Sequence, residues 1–239
     1  MNRALFASAT GMAAQQKQLD VIADNLANAD VAGFKSAQAT FAPIGGNAQL
    51  GTAVTGTRAI FAQGKLERSG GPFDVAIDGA GFFCVERDGE RAYTRAGAFS
   101  RARDGSLRNP DGWKLCGVAV PGGAQTISVA TDGRVTAHVN GHQKGLGHIA
   151  LAAFDAPERL RPIGSALFAA TPGSGPPRTL AAGGDREPKI EFGMLEKSNV
   201  SIIESMMAIL AAQRAYEADS KGVQAADEML RIANNLHRS

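Results

Sequence analysis

The chain has 239 residues, of which 44% are hydrophobic and 20% charged, a balance typical of a globular protein and not of a disordered one. Its formal net charge at pH 7 is +2, and no segment clusters Lys and Arg, so no nucleic-acid partner is expected. No apolar run approaches the roughly 20 residues needed to cross a bilayer, so we expect no direct membrane insertion and no cleaved signal peptide.

The N-terminal segment, residues 1–41, begins with a predicted helix. From residue 2 to about residue 29 it is rich in Ala, Leu and Gln and contains no proline, which favours helix formation. Large apolar residues recur every seven positions, and such a narrow stripe favours a partner helix over a broad core. The sequence therefore predicts a subunit interface at Leu5, Met12, Leu19, Ile22 and Leu26.

The middle of the chain has the pattern of β-structure. Residues 42–71 are rich in glycine and are predicted to form an extended linker with one hairpin. Residues 72–185 alternate short strand-like runs with dipeptides that supply the positive φ of a tight hairpin turn, which predicts an antiparallel β domain. A return linker is predicted at 186–193. The turn dipeptides are Asp78-Gly79, Asp88-Gly89, Asp104-Gly105, Asp111-Gly112, Asp132-Gly133 and Asn140-Gly141.

The last segment, residues 194–239, is predicted to be one long helix. Ser201 and Glu204 fit a capping box, in which each side chain satisfies a free amide of the first turn. Apolar residues again recur every seven positions, with others beside them. We expect this helix to pair with the N-terminal helix and to bury its remaining apolar surface against neighbouring subunits. The predicted interface residues are Ile202, Ile203, Ile209, Leu210, Tyr216, Val223 and Leu230.

These elements predict an α+β fold. A central all-β antiparallel domain is flanked by N- and C-terminal helices, which we expect to pair as a coiled coil.

No group of residues has the pattern of an active site. His138, His142 and His148 lack a Cys or carboxylate at metal-ligand spacing. Asp74 and Asp78 could share one face of a strand, but turn formation explains Asp78 better than acid–base catalysis does. We therefore expect no catalytic, cofactor or metal site, and a protein that is not an enzyme.

The two cysteines, Cys84 and Cys116, are too few for a disulfide scaffold. Cys84 lies in the apolar run 82–85, where a buried free thiol is the simplest interpretation. The sequence does not show whether the two approach each other, so a disulfide between them stays open.

Three blocks of motifs follow one another along the chain. The first comprises ATGM at 9–12, LDVIADNLAN at 19–28 and GFK at 33–35. The second comprises DVAIDGAGFF at 74–83, YTR at 93–95 and GAF at 97–99. The third comprises EKSNV at 196–200, AQRAYE at 212–217 and DEML at 227–230. These three blocks, in this order, resemble bacterial flagellar rod and hook proteins. The positions that carry the family motif are Asn25, Asn28, Gly33, Phe34, Asp78, Gly79, Gly81, Phe82, Ser198, Asn199, Gln213 and Arg214.

The resemblance implies a structural subunit of the flagellar basal-body rod, polymerised into the helical drive shaft that transmits torque from motor to hook. It implies copies of the chain and homologous rod and hook subunits as partners. It also implies the flagellar export apparatus as a partner, with delivery to the periplasmic rod without a cleaved signal peptide.

Within the family, the resemblance favours the distal rod subunits. A proximal rod or hook-basal-body adaptor subunit is the alternative. A β-domain enzyme or binding module with helical oligomerisation arms is a more distant alternative.

Overall fold

A computed structural model describes residues 2–44, 51–122, 124–139, 142–184 and 187–236. The predicted Asn140-Gly141 turn lies outside these residues, as do parts of both predicted linkers. The chain forms two compact units. The helical unit comprises Met1–Ala29, Ala37–Arg58 and Val200–Ser239, and the β unit comprises Asp30–Ser36 and Ala59–Asn199.

The helical unit contains the two predicted helices and a pair of strands. Helix α1 spans Asn2–Ala27 and α2 spans Ile202–Leu236, while strands β1 (Ala37–Ile44) and β2 (Gly51–Ala59) pair with each other. The Ser201 half of the predicted capping box is present at the N-terminus of α2, because Ser201 Oγ accepts a hydrogen bond from the Glu204 amide at 3.3 Å.

The two helices pack against each other in an antiparallel arrangement. Gly222 near the end of α2 lies beside Ser8, and Asp219 lies beside Gly11. Further along the pair, Ala208 and Ile22 line the same groove. The predicted pairing of the terminal helices is confirmed, whereas its description as a coiled coil stays a prediction.

Small residues on α2 allow the close approach of the helices. Ala212 and Ala226 are the buried residues of α2, with 2% and 7% exposure, among those whose side chains the structure describes. On α1 the buried apolar residues are Ala14, Val21 and Ile22. The buried positions of α2 thus carry small side chains, while Ile203, Met206, Met207 and Leu210 of the same helix stay exposed.

The β unit contains strands β3 to β18, as far as the structure describes the chain. They form a large antiparallel sheet and two separate pairs, β4 with β17 and β3 with β18. Together with the packed helices this confirms the predicted α+β class. The strands are β3 (Leu66–Arg68), β4 (Val75–Asp78), β5 (Phe82–Arg87), β6 (Glu90–Thr94), β7 (Ser100–Arg101), β8 (Ser106–Arg108), β9 (Lys114–Ala119), β10 (Ala124–Val129), β11 (Arg134–Val139), β12 (His142–His148), β13 (Leu151–Ala153), β14 (Arg161–Gly164), β15 (Leu167–Ala169), β16 (Arg178–Leu180), β17 (Lys189–Phe192) and β18 (Met194–Glu196).

Strand β5 occupies the centre of the large sheet. It pairs with β6 on one edge and with β9 and β13 on the other, all antiparallel. The β5–β6 hairpin closes through Asp88 and Gly89, which both have positive φ, at 52° and 85°. This is the two-residue turn that an Asp-Gly pair favours, so the sequence signal at this position is confirmed.

Two apolar clusters stabilise the β unit. The larger one contains Phe83, Val85 and Leu115, none of which is exposed to solvent. The smaller one is aromatic: Phe82 makes edge-to-face contacts with Phe61 and Phe154, at centroid distances of 5.1 and 5.9 Å. Because Phe82 and Phe83 are adjacent on β5, they contribute to different clusters on opposite faces of the sheet.

Candidate functional site

Helix α2 presents a large apolar surface to solvent in its first three turns. Ile203 is 74% exposed, Met207 66%, Leu210 57% and Met206 54%. At 100° per residue these four side chains share one side of the helix, away from the alanines that contact α1. A contiguous exposed apolar surface on a monomer is typical of an interaction site.

The same side of α2 becomes polar further along. Arg214, Glu217, Lys221 and Gln224 continue it, and all four are exposed. We call Ile203, Met206, Met207 and Leu210 the apolar face of α2. It ends about three turns into the helix, and two further exposed apolar residues, Met229 and Ile232, lie near the C-terminal end of α2 beyond the polar stretch.

The predicted apolar stripe of α2, with one residue every seven positions, lies along the flank of the helix. It consists of Ile202, Ile209, Tyr216, Val223 and Leu230. Ile202 and Tyr216 are 45% and 40% exposed, whereas Val223 and Leu230 are half-buried. A straight α-helix rotates by about 20° per heptad relative to a seven-residue repeat, so such a stripe drifts around the helix. The drift carries it from the exposed side near Ile202 towards the α1-facing side near Leu230.

The predicted interface residues differ in exposure. Ile22 is buried in the helical unit, and Ile203 and Leu210 belong to the exposed apolar face. Apart from the exposed Ile202 and Tyr216, the remaining predicted residues are half-buried. Their role as a subunit interface stays a prediction. The half-buried set is Leu5, Met12, Leu19, Leu26, Ile209, Val223 and Leu230.

A buried charge cluster in the β unit brings the three motif blocks together. It consists of Lys35, Arg95 and Glu196. Lys35 Nζ donates to Glu196 Oε1 at 2.5 Å, and Arg95 Nη1 lies 3.4 Å from Glu196 Oε2. The side chains of Lys35 and Glu196 are fully buried, and that of Arg95 is 5% exposed. Residues 161 positions apart in sequence therefore meet in one ion pair.

Each member of the charge cluster also forms a hydrogen bond with a backbone group. Glu196 Oε1 also accepts the Gly64 amide at 2.8 Å, and Lys35 Nζ also donates to the Ala62 carbonyl at 2.8 Å. Arg95 Nη2 donates to the Gly79 carbonyl at 2.7 Å, so the cluster reaches the turn that follows β4. Its members are thus tied to the backbone as well as to one another.

Burial affects the pKa values of the two cations of this cluster. It lowers the pKa of Lys35, with the neighbouring Glu196 carboxylate acting in the opposite direction. Burial likewise lowers the pKa of Arg95 against the same opposing carboxylate. Arg95 Nε is buried and has no hydrogen-bond partner. One carboxylate faces two cations here, so Glu196 is the charge on which the cluster depends.

Asn199 and Gly33 hold the segments next to the charge cluster. Asn199 Oδ1 accepts the Ser36 amide at 2.7 Å, while its Nδ2 donates to the carbonyls of Ile60 and Ala62 at 2.7 and 3.0 Å. Gly33 has a φ of +70°, and a Cβ there would lie 2.2 Å from the Ala96 amide nitrogen. Its own amide donates to the Glu196 carbonyl at 2.7 Å. Only glycine fits at this position.

The remaining motif residues are distributed over both units. In the helical unit, Asn25 exchanges two hydrogen bonds with the backbone of Ala37, at 2.7 and 2.8 Å, and Asn28 Nδ2 donates to the Asp24 carbonyl near the end of α1. Gln213 and Arg214 are exposed on α2. In the β unit, Asp78 ends β4, Phe82 begins β5, and Gly79 and Gly81 lie between these strands. Phe34 and Ser198 lie next to the charge cluster in sequence.

The residues considered for chemistry are not gathered into a site. Asp74 is buried and accepts a hydrogen bond from Ser69 Oγ, whereas Asp78 is exposed and accepts one from Gln63 Nε2 at 3.1 Å. Among the described residues, no group of three or more His, Cys, Asp or Glu side chains could hold a metal ion. Neither described helix combines the length and apolarity needed to cross a membrane.

Family profiles match the chain in three places, at both ends and in the β unit. The profile described as "Flagella basal body rod protein" matches residues 5–35, and "Flagellar hook protein FlgE/F/G D1 domain" matches 76–137. The profile "Flagellar basal body rod FlgEFG protein C-terminal" matches residues 192–236. The three matches include all three residues of the buried charge cluster.

Relatives align over nearly the whole chain. The flagellar basal-body rod protein FlgG of Agrobacterium fabrum is 37% identical over an alignment 257 positions long, which covers 97% of this chain and 98% of the relative. FlgG of Borreliella burgdorferi is 37% identical over an alignment 264 positions long, which covers 100% of both chains. The chain belongs to the flagellar basal-body rod protein family. FlgF of Caulobacter vibrioides is 31% identical to this rod protein over 250 residues, which cover 98% of this chain and 97% of FlgF.

The sequence interpretation overlooked the buried charge cluster of this rod protein. Lys35, Arg95 and Glu196 all lie inside the motif blocks, yet none was selected as a site residue. Only Lys35 directly follows an aromatic residue, Phe34, whereas Arg95 and Glu196 have no aromatic or glycine neighbour. Each block also contains other charged residues, so the local sequence did not separate these three buried charges from solvated ones.

Proposed function

We propose that this rod protein polymerises with copies of itself and with homologous subunits into the helical shaft that transmits torque from motor to hook. The flagellar rod is its location, as family membership shows, and its role is structural. The observation that carries the proposal is the apolar face of α2, where four large side chains are more than half exposed.

Burial of this face requires another molecule. Within the helical unit α2 already contacts α1 through its small residues, so the apolar face has no partner in the same pair. A contact between this face and a different surface of the next subunit is heterologous, and heterologous contacts that do not close into a ring generate a helical filament. The polar continuation at Arg214, Glu217, Lys221 and Gln224 then limits the contact to the first turns of α2.

The paired helices have the spacing of a coiled coil, and we include this description in the proposal. Residues of α2 that face α1 are separated by three, four or seven positions: Ala208, Ala212, Asp219, Gly222 and Ala226. That spacing keeps one side of α2 on its partner along the length of the pair. A stiff pair of helices suits a subunit that carries torque.

The comparisons favour a distal position of this subunit in the rod. In Caulobacter vibrioides FlgG is 35% identical to this chain and FlgF 31%. We further propose that the protein has no catalytic activity, and that it reaches the periplasm through the flagellar export apparatus without a cleaved signal peptide.

The assembly role is tested by Ile203→Glu in the full chain. Because Ile203 is 74% exposed, a carboxylate there is solvated in the free subunit and should leave its fold unchanged. In the filament the same carboxylate would be desolvated at every repeat, at a cost of several kcal/mol per contact. We expect an exported, folded protein with wild-type circular dichroism that builds no rod.

Gln224→Glu is the matched control, because it introduces the same side chain on the polar continuation of the same helix. Cells carrying the control should assemble rods and swim. If electron microscopy of basal bodies showed normal rods with Ile203→Glu, the apolar face of α2 would not be the assembly surface.

A further inference from the structure

The two cysteines occupy neighbouring positions on adjacent strands. Strands β5 and β9 are antiparallel, with Val85 opposite Leu115 and Glu86 opposite Lys114. The same register, extended by one residue, places Cys84 opposite Cys116. Val85 and Leu115 project into the larger apolar cluster, so the cysteines project from the other face of the sheet, where both are half-buried.

The spacing of adjacent antiparallel strands suits a disulfide. Residues directly opposite each other have Cα atoms about 4.5 or 5.5 Å apart, depending on the type of pair. Both values fall within the range of about 4.4–6.8 Å in which a disulfide forms without backbone movement. The two thiols are free in this structure, and they lie close enough for each to shift the pKa of the other.

The interaction between the two thiols gives them different reactivities. The neighbouring Cys116 lowers the pKa of Cys84 to about 7, burial opposes this effect, and the Arg91 charge supports it. The neighbouring Cys84, together with burial, raises the pKa of Cys116. Cys84 is therefore the thiol of the pair that ionises first, and a thiol whose pKa is close to the ambient pH attacks disulfides most effectively.

We propose that Cys84 and Cys116 form a redox-active dithiol that thiol–disulfide exchange with a disulfide donor converts to a cross-strand disulfide. The Cys84 thiolate attacks one donor sulfur, forms a mixed disulfide and releases the other donor sulfur as a thiolate. Cys116 gives up its proton and attacks Cys84 Sγ, and the donor's remaining sulfur leaves as a thiolate that takes up that proton. The protein dithiol is oxidised by two electrons, and the donor disulfide is reduced by two.

The reactivity of the pair rests on its geometry, but its oxidation in the cell rests on the proposed function. The periplasm, where the proposed rod subunit is delivered, keeps thiols oxidised. The disulfide would close a loop of about 30 residues and stabilise the β unit by restricting its unfolded chain.

The test exposes the reduced, folded full chain to oxidised glutathione and follows its mass. We expect the wild type to lose the mass of two hydrogens, to retain no glutathione, and to yield one cross-linked peptide containing both cysteines. Its melting temperature should rise by several degrees and fall again on reduction. The single variants Cys84→Ser and Cys116→Ser cannot resolve a mixed disulfide and should accumulate the glutathione adduct.

Two results would overturn the proposal for the purified protein: two alkylatable thiols after oxidation, or a persistent glutathione adduct on the folded wild type. Basal bodies isolated after alkylation of the cells test the reaction in place. Alkylated thiols on rod-borne protein would refute oxidation in the cell while leaving the rod function intact. Absence of the protein from basal bodies would refute the rod function while leaving the glutathione result unaffected.

Discussion

Replacement of Glu196 by Gln should strongly destabilise the β unit. The substitution keeps the shape of the side chain and an acceptor oxygen for the Gly64 amide. It removes the one negative charge that faces Lys35 and Arg95, which are buried within 2.5 and 3.4 Å of the carboxylate. The variant therefore carries two buried cations without a counter-charge.

The magnitude follows from the burial. Removal of one partner from a buried ion pair costs about 3–5 kcal/mol, because the remaining charge stays desolvated. For a unit of this size each kcal/mol lowers the melting temperature by about 2–4 °C, so a decrease of roughly 10 °C is expected. Trp113, the one tryptophan of the chain, is buried in the β unit and reports its unfolding by fluorescence.

Two further variants make the experiment decisive. Glu67→Gln removes the carboxylate of the exposed Lys65–Glu67 ion pair and should melt like the wild type. Lys35→Met in the Glu196→Gln background removes one of the two uncompensated cations and should recover part of the lost stability. If Glu196→Gln melted within a degree of the wild type, the cluster would not stabilise the fold as argued.

Three other predictions concern single positions. Gly33→Ala should prevent folding or lower the melting temperature far more than Gly112→Ala. Both glycines have positive φ, but only Gly33 has backbone atoms within 4 Å of the added Cβ. Equal losses of stability would show that φ strain alone matters. Asn199→Ala should destabilise the β unit by about 2–4 kcal/mol in urea unfolding, because it breaks three hydrogen bonds to backbone groups; Gln224→Ala, at an exposed position, should change little. Alkylation of Cys84 should speed up as pH rises through about 7, and Cys116→Ala should move this midpoint up towards the ordinary thiol value of 9.0. An unchanged midpoint would show that Cys116 does not lower the pKa of Cys84.

Local sequence signals predicted the elements of the fold well. The Asp88-Gly89 turn and the Ser201 cap depend on the residues at those positions, so a single sequence is enough to locate them. The absence of proline and the helix-favouring composition were sufficient for α1.

Such local signals did not predict which strands pair or which residues of α2 contact α1. Nothing in the local pattern of residues 194–196 indicates that β18 pairs with β3. On α2 the large residues dominate the apolar pattern, so the stripe through Ile209 was prominent while the contact through Ala212 was not. Side chains as small as alanine determine how closely two helices approach, but they contribute little to a hydrophobic periodicity.

The position of Glu196 also sets the order in which the β unit can fold. A chain that emerges from its N-terminus presents Lys35 and Arg95 long before their shared carboxylate, so both cations stay hydrated until residue 196 arrives. The pairings of β17 with β4 and of β18 with β3 wait for the same stretch. Contacts over such sequence separations form slowly because a long loop must close first. The strands of the large sheet all precede residue 181, so residues 189–196 supply the two remaining strand pairs and the charge cluster last.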